Sequence, residues 1–201
     1  MLDYKDFPAG AMLLMEGRTL GVCRDVGTAL RNLDRWIFLM QQVHEARYYI
    51  DRAQQLGHPE NFQSLEGILE FLAHFRGALS SYAKCFVRAG PGKVTLNKHS
   101  VFDADSTMLA LHDRIMELRH KYVAHSDSNE FESANIVEES SSEELVLRLQ
   151  YRFCFPFDRL YELRDLVGVV ERYVVDHHGN HVAAVEREIG KPVRIREGNR
   201  K

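Results

Sequence analysis

The chain has 201 residues, of which 45% are hydrophobic and 27% are charged, and its net charge is −3 at pH 7. These values are ordinary for a soluble globular protein and suit one domain with a substantial core. The slight acidity argues against a broad surface that coats nucleic acid, although a local basic cleft remains compatible with it.

The cellular location follows from the cysteines and the hydropathy. Three scattered cysteines, Cys23, Cys85 and Cys154, are too few for a disulfide framework or a metal knuckle. The N-terminus shows no secretory signal, and the apolar run at 36–40 is far shorter than the ~20 residues that a membrane span needs. We therefore expect a cytoplasmic protein with reduced thiols and no membrane contact.

Four long segments carry apolar residues every three or four positions, the period of amphipathic helices. They lie at about 26–56, 61–88, 103–125 and 157–175. Gly57 and Pro59 are typical of a helix end, and the third segment opens on three candidate N-cap residues, Asp103, Asp105 and Ser106. The sequence therefore predicts a mainly α fold. Residues 1–25 form an N-terminal arm and residues 178–201 a C-terminal extension, in which 182–189 adds a short helix.

A different period separates the third and fourth helices. Alternate positions are apolar at Leu145, Leu147, Leu149, Tyr151, Phe153 and Phe155. This pattern predicts a half-buried strand, and 131–138 reads as its weaker partner. We therefore predict a β-hairpin over 131–155. Because two strands alone are marginal in water, the hairpin should lie against the helices or against a second subunit.

The third helix ends in a cluster of cations beside an apolar seam. Arg119, His120 and His125 lie on or next to the stripe of Leu111, Ile115, Leu118 and Tyr122, and His112 lies seven residues before Arg119. A cation at such a seam loses water and needs an anionic partner or a polar network. The alternative is structural, because cations at a helix C-terminus oppose the negative end of the helix dipole.

The run from Arg119 to His125, RHKYVAH, resembles the signature of the HEPN superfamily. In that signature a polar residue follows an arginine, and four to six residues separate the arginine from a histidine; here five residues separate them. The resemblance covers 119–127 as a motif and roughly 26–177 as architecture. It implies an antiparallel bundle of about four long helices, with the hairpin inserted between the third and fourth. It also implies a homodimer in which the signature helices meet and form a composite cleft.

The resemblance further implies a metal-independent endoribonuclease, in antiviral defence or a toxin system, that needs no cofactor. Arg119 would hold the phosphate, His125 would transfer protons, and His120 would occupy the polar slot, where most relatives carry Asn. Lys121 and His112 would steer the RNA backbone. Histidine suits proton transfer near neutrality, and arginine grips two phosphate oxygens. Six helical residues advance about 600°, so Arg119 and His125 lie roughly 120° apart unless a second copy completes the site.

Other interpretations stay open. The chain could instead be a non-catalytic HEPN-like module for RNA binding, dimerisation or protein interaction, or the target of a partner such as an antitoxin. Asp176, His177, His178 and His181 could in principle bind a transition metal. Adjacent histidines near a glycine rarely all point inward, however, and the chain has no second cluster, so we expect no metal site.

Overall fold

The computed structural model describes residues 24–87, 94–102, 105–123, 132–140, 145–153 and 157–195. Within these residues the chain is mainly helical. The elements in chain order are α1 Arg24–Gln55, α2 Leu65–Lys84, α3 Lys98–Phe102, α4 Ser106–Val123, β1 Glu132–Ser140, β2 Leu145–Phe153 and α5 Phe157–Ile189. The predicted helical class and the antiparallel hairpin before the last long helix are therefore confirmed. Nearly all of the predicted N-terminal arm, residues 1–23, lies outside the described residues.

The helix ends follow the local signals in the sequence. Gly57 has a φ of 88° just after α1, where a side chain would be strained. The Ser64 hydroxyl accepts a hydrogen bond from the Gly67 N–H at 3.2 Å and caps α2. Asp105, one of the predicted capping residues, caps α4, because its Oδ1 accepts hydrogen bonds from the N–H groups of Thr107 and Met108 at 2.9 and 3.0 Å. Asp103 lies outside the described residues.

The last helix differs from the prediction. We expected a helix over 157–175 and a break at the histidines, but α5 continues through Gly179 to Ile189. A glycine inside a helix costs only about 1 kcal/mol, and packing offsets that cost. The Trp36 ring stacks on His177 with centroids 4.9 Å apart and planes at 9°.

The described residues form two compact units. The first comprises the described parts of Met1–Phe38 and Val174–Lys201, and the second is Leu39–Tyr173. The predicted domain boundaries at 25/26 and 177/178 stay a prediction. The first unit has a small core of Ala29, Leu33 and Val185, against which Leu30, Val182 and Val193 pack.

The second unit holds most of the large buried side chains. These include Leu39, Ile50, Phe71, Leu72, Phe75, Leu79, Tyr82, Ile115, Leu160, Leu163, Leu166 and Val167. On α2 and α5 most of these residues recur at steps of three or four, as the amphipathic period requires. None of the described helices combines the length and apolar character that crossing a membrane requires.

Gly77 in α2 marks a close helix contact. A Cβ built there would lie 2.9–3.0 Å from three ring atoms of Tyr49 on α1. We expect Gly77→Ala to lower the free energy of unfolding by about 1 kcal/mol, because overpacking outweighs the gain in helix propensity. Gly179→Ala is the matched control: nothing lies within 4 Å of its Cβ position, so it should stabilise by about 1 kcal/mol. Thermal unfolding followed by circular dichroism measures both, and a stabilised Gly77→Ala would contradict the packing argument.

The hairpin is exposed, which corrects the expectation of a half-buried strand. β1 and β2 pair antiparallel with Ile136 opposite Leu149 and Glu138 opposite Leu147. The alternation predicted the strand and its apolar face correctly. Yet Ile136, Leu147 and Leu149 are 67, 58 and 57% exposed. No described residue covers this face sufficiently to bury it.

Candidate active site

Helix α4 carries the first five residues of the predicted signature, 119–123, and its exposed edges form ion pairs with two other segments. The Lys98 ammonium lies 2.6 and 2.9 Å from the two carboxylate oxygens of Asp113. Arg114 donates to Glu162 on α5 at 2.8 Å, and the other oxygen of Glu162 accepts from Arg159 at 2.6 Å. Ile115, the next residue along α4, is fully buried. The helix is therefore anchored mainly by its buried face, and the ion pairs lie at its exposed edges.

Arg119 lies in that last turn and is half-buried. Its Nε is buried and has no hydrogen-bond partner among the described residues. Leaving a buried donor unpaired costs about 1–3 kcal/mol, and more for a charged group. A guanidinium presents five N–H donors in a planar fork that fits the oxygens of a phosphate or carboxylate. Among the described residues, the site thus contains a half-buried cation with one buried donor that has no acceptor.

His120 and Lys121 follow Arg119 on the outside of the helix. Both residues are exposed. The Lys121 ammonium lies 2.6 Å from the Glu117 carboxylate one turn earlier. The hydrogen bond and the charge of Lys121 hold the pKa of Glu117 below its ordinary value. An exposed pair of this kind is screened by solvent and contributes little to stability, so Lys121 can exchange this carboxylate for another anion at low cost.

His112 lies in the interior. Its side chain is 3% exposed, and its Nδ1 lies 2.7 Å from the Tyr82 hydroxyl of α2. Phe86 and Phe102 close the ring off, with centroids 4.4 and 5.3 Å away. Contact between His112 and an RNA backbone would require this packing to open, and its predicted steering role stays a prediction.

Burial keeps this polar pair neutral. It lowers the pKa of His112 to about 4, with Asp113 opposing the shift and Lys98 adding to it. Burial also raises the pKa of Tyr82 well above its ordinary value. At neutral pH the imidazole and the phenol are therefore uncharged, and they form a hydrogen bond that joins α4 to α2.

His125 lies outside the described residues, so its pairing with Arg119 stays a prediction. The structure thus brings Arg119, His120 and Lys121 together in one helical turn and sets His112 apart in the core. Seven residues separate His112 from Arg119, which is two helical turns, so the two share a stripe in the sequence. Their environments differ because α2 covers the first of them.

The structure also places two polar features that the sequence did not reveal. Arg47 of α1 donates to Glu171 on α5 at 2.7 Å. Gln42 is 3% exposed, and its Oε1 has no hydrogen-bond partner in the described part of the chain. The sequence signal for Gln42 is weak, a polar residue one position before the core residue Val43.

The histidines of α5 do not form a metal centre with other side chains in the described ranges. Among 24–87, 94–102, 105–123, 132–140, 145–153 and 157–195, no group of three or more His, Cys, Asp or Glu residues could hold a metal ion. His177 and His181 instead pack on Trp36, with centroids 4.9 and 5.5 Å from it. Burial lowers the pKa of His181, and the neighbouring His177 and His178 add to that effect.

Comparison of the chain with protein-family models, with curated proteins and with solved structures finds no match. The candidate site is therefore argued from its own residues.

Proposed function

We propose that this chain is a metal-independent endoribonuclease of the HEPN type, acting as a homodimer in antiviral defence or as a toxin. The proposal includes a HEPN-like antiparallel arrangement of the long helices. The observation that supports it most is the half-buried guanidinium of Arg119 in the last described turns of α4, whose buried Nε has no hydrogen-bond partner among the described residues. The planar fork of this guanidinium fits two oxygens of a bound RNA phosphate.

The reaction is an internal transesterification. A base removes the proton of the ribose 2′-hydroxyl, whose oxygen attacks the adjacent phosphorus, and the bond from phosphorus to the 5′-oxygen breaks. An acid returns a proton to that leaving oxygen, which gives a 2′,3′-cyclic phosphate and a 5′-hydroxyl end. His125 and its copy in the second subunit carry the protons, and Arg119 stabilises the charge that grows on the phosphate. His120 orients the substrate, and Lys121 attracts its backbone.

The test is cleavage of a structured RNA in the presence of a chelator, with His125→Ala as the diagnostic variant. Losing the proton-transfer group should lower the cleavage rate by about 100-fold or more. His44→Ala is the control, because His44 is an exposed histidine of α1 and should keep the full rate. Cleavage by His125→Ala at the rate of the unmodified protein would rule out the mechanism.

The second candidate is a non-catalytic module for dimerisation or binding. The exposed apolar face of the hairpin and the net charge of −3 favour it. In that case the protein binds its partner without cleaving RNA. The same assay distinguishes the two, since a homogeneous preparation with no chelator-resistant cleavage supports the module.

A further inference from the structure

The hairpin has one apolar face and one polar face. Pairing places alternate residues of the two strands side by side on the same face. One face carries Leu145, Leu147, Leu149, Tyr151, Phe153, Ala134, Ile136 and Glu138. The opposite face carries both arginines of β2, Arg148 and Arg152, together with Gln150 and Asn135. We call the first set the apolar hairpin face.

This face is large for a surface that water covers. Ile136, Leu145, Leu147, Leu149 and Tyr151 are between 48 and 67% exposed. Their exposed area is on the order of 500 Å², near the upper end of the largest apolar patch on a typical monomer. A two-stranded hairpin without a covered face is also marginal in water. Within the described residues, neither a helix nor another strand buries it.

The charges on the face indicate what covers it. Over the side chains described at 133–138 and 145–153, the single charged residue on this face is Glu138, and the face has no lysine or arginine. RNA and acidic lipid headgroups are therefore poor occupants, because the face offers their phosphates a carboxylate and no cation. An apolar protein surface fits better.

We propose that the apolar hairpin face packs against the same face of a second copy of this chain. Two such faces bury on the order of 1,000 Å² together, which reaches the lower limit of a specific interface. Sheet faces pack about 10 Å apart with interdigitated side chains, so alternating rows of leucine suit each other. A two-fold axis parallel to the strands places β1 of each copy over β2 of the other. Each Glu138 then lies beside the partner's leucine row and away from the partner's Glu138.

The position of the hairpin in the chain makes this interface compatible with the candidate site. β1 begins nine residues after α4 ends, and nine residues span at most about 30 Å even when fully extended. Dimerisation through the hairpin therefore tethers the end of α4 in each copy within this distance of the interface. The inference does not depend on ribonuclease activity, since the hairpin face is apolar whether or not RNA is cleaved.

The experiment compares Leu149→Glu with Gln150→Glu by light scattering on a sizing column over a range of protein concentrations, without RNA. The two variants add the same carboxylate at neighbouring positions of β2, one on the apolar face and one on the polar face. We expect the unmodified protein and Gln150→Glu to be dimers, and Leu149→Glu to dissociate with a Kd raised by about 30-fold or more. Circular dichroism should show equal helix content in all three, because both positions are exposed.

Two results would overturn the proposal. The first is an unmodified protein that stays monomeric at concentrations on the order of 100 μM, a range in which an interface of this size should form. A monomer that associates with lipid vesicles instead would overturn the proposal in the same way. The second is a dimer that Leu149→Glu leaves unchanged, which would place the interface elsewhere. Should Leu149→Glu fail to fold, Leu147→Lys serves as the replacement on the same face.

Discussion

Arg119→Met should lower the rate of RNA cleavage by about 100- to 1,000-fold, the usual effect of removing one group that stabilises charge in a transition state. The same change should leave the free energy of unfolding undiminished, or raise it by about 1 kcal/mol, because it removes a buried donor that has no hydrogen-bond partner in the described part of the chain. Methionine keeps the unbranched hydrocarbon chain, so the packing of the half-buried side chain is largely preserved. Activity and stability thus change in opposite directions, as expected where a site is built for a ligand.

Arg114→Met is the matched control for this prediction. Arg114 lies on the same helix and is exposed, and its guanidinium is paired with Glu162 at 2.8 Å. Removing an exposed ion pair changes stability by less than about 1 kcal/mol and should leave cleavage unchanged. Rate measurements under single-turnover conditions and denaturant titrations give both quantities. A clear loss of stability in Arg119→Met would mean that Arg119 has a structural partner, and the argument for a phosphate site would fail.

The buried pair of Tyr82 and His112 should make the fold sensitive to acid. The pKa of His112 in the folded protein is about 4, below the ordinary value of 6.5. The folded state therefore binds fewer protons than the unfolded state between these values. The contribution of His112 to the free energy of unfolding is fully present above pH 6.5. It decreases by on the order of 2 kcal/mol as the pH falls towards 4. His178 and His181 have lowered pKa values and act in the same direction.

A double-mutant cycle isolates this pair from the other histidines. Tyr82→Phe and His112→Leu should each cost about 1–3 kcal/mol at pH 7, since each leaves one buried polar group unpaired. The double variant should cost less than the sum of the two, because it removes both partners together. It should also lack the part of the acid loss that His112 contributes. Denaturant titrations between pH 4 and 7.5 test these expectations, and an identical pH dependence in the double variant would contradict the assignment.

The local signals in the sequence predicted most of the secondary structure. Helices α1, α2 and α4 were predicted from a period of about 3.6 residues. At α4 a predicted capping residue agrees with that period, since Asp105 accepts hydrogen bonds from the N–H groups of Thr107 and Met108. The strand pattern over 145–153 was equally clear, because alternation has no helical counterpart. The predicted end of α5 was wrong, because Gly179 and the histidines resemble a helix stop in the sequence. In the structure the helix continues, and Trp36 packs on His177.

The sequence predicted the candidate site only in part. The motif brought Arg119, His120 and Lys121 to notice, and their common turn follows from helical spacing alone. Helical spacing did not predict that His112 and Arg119 have different environments. Both occupy one stripe of α4, and the difference arises because Tyr82, Phe86 and Phe102 enclose the first, whereas the second keeps a buried Nε with no partner among the described residues.

By itself, the sequence determined the helical class, the position of the hairpin and which residues share a face, because these depend on periodicity and on groups within a few residues of one another. Only the tertiary structure decided which faces are covered. Burial of His112, exposure of the leucine row on β2 and the environment of the Arg119 Nε, which has no partner among the described residues, depend on contacts between segments far apart in the chain. Such contacts leave no periodic trace in the residues that make them.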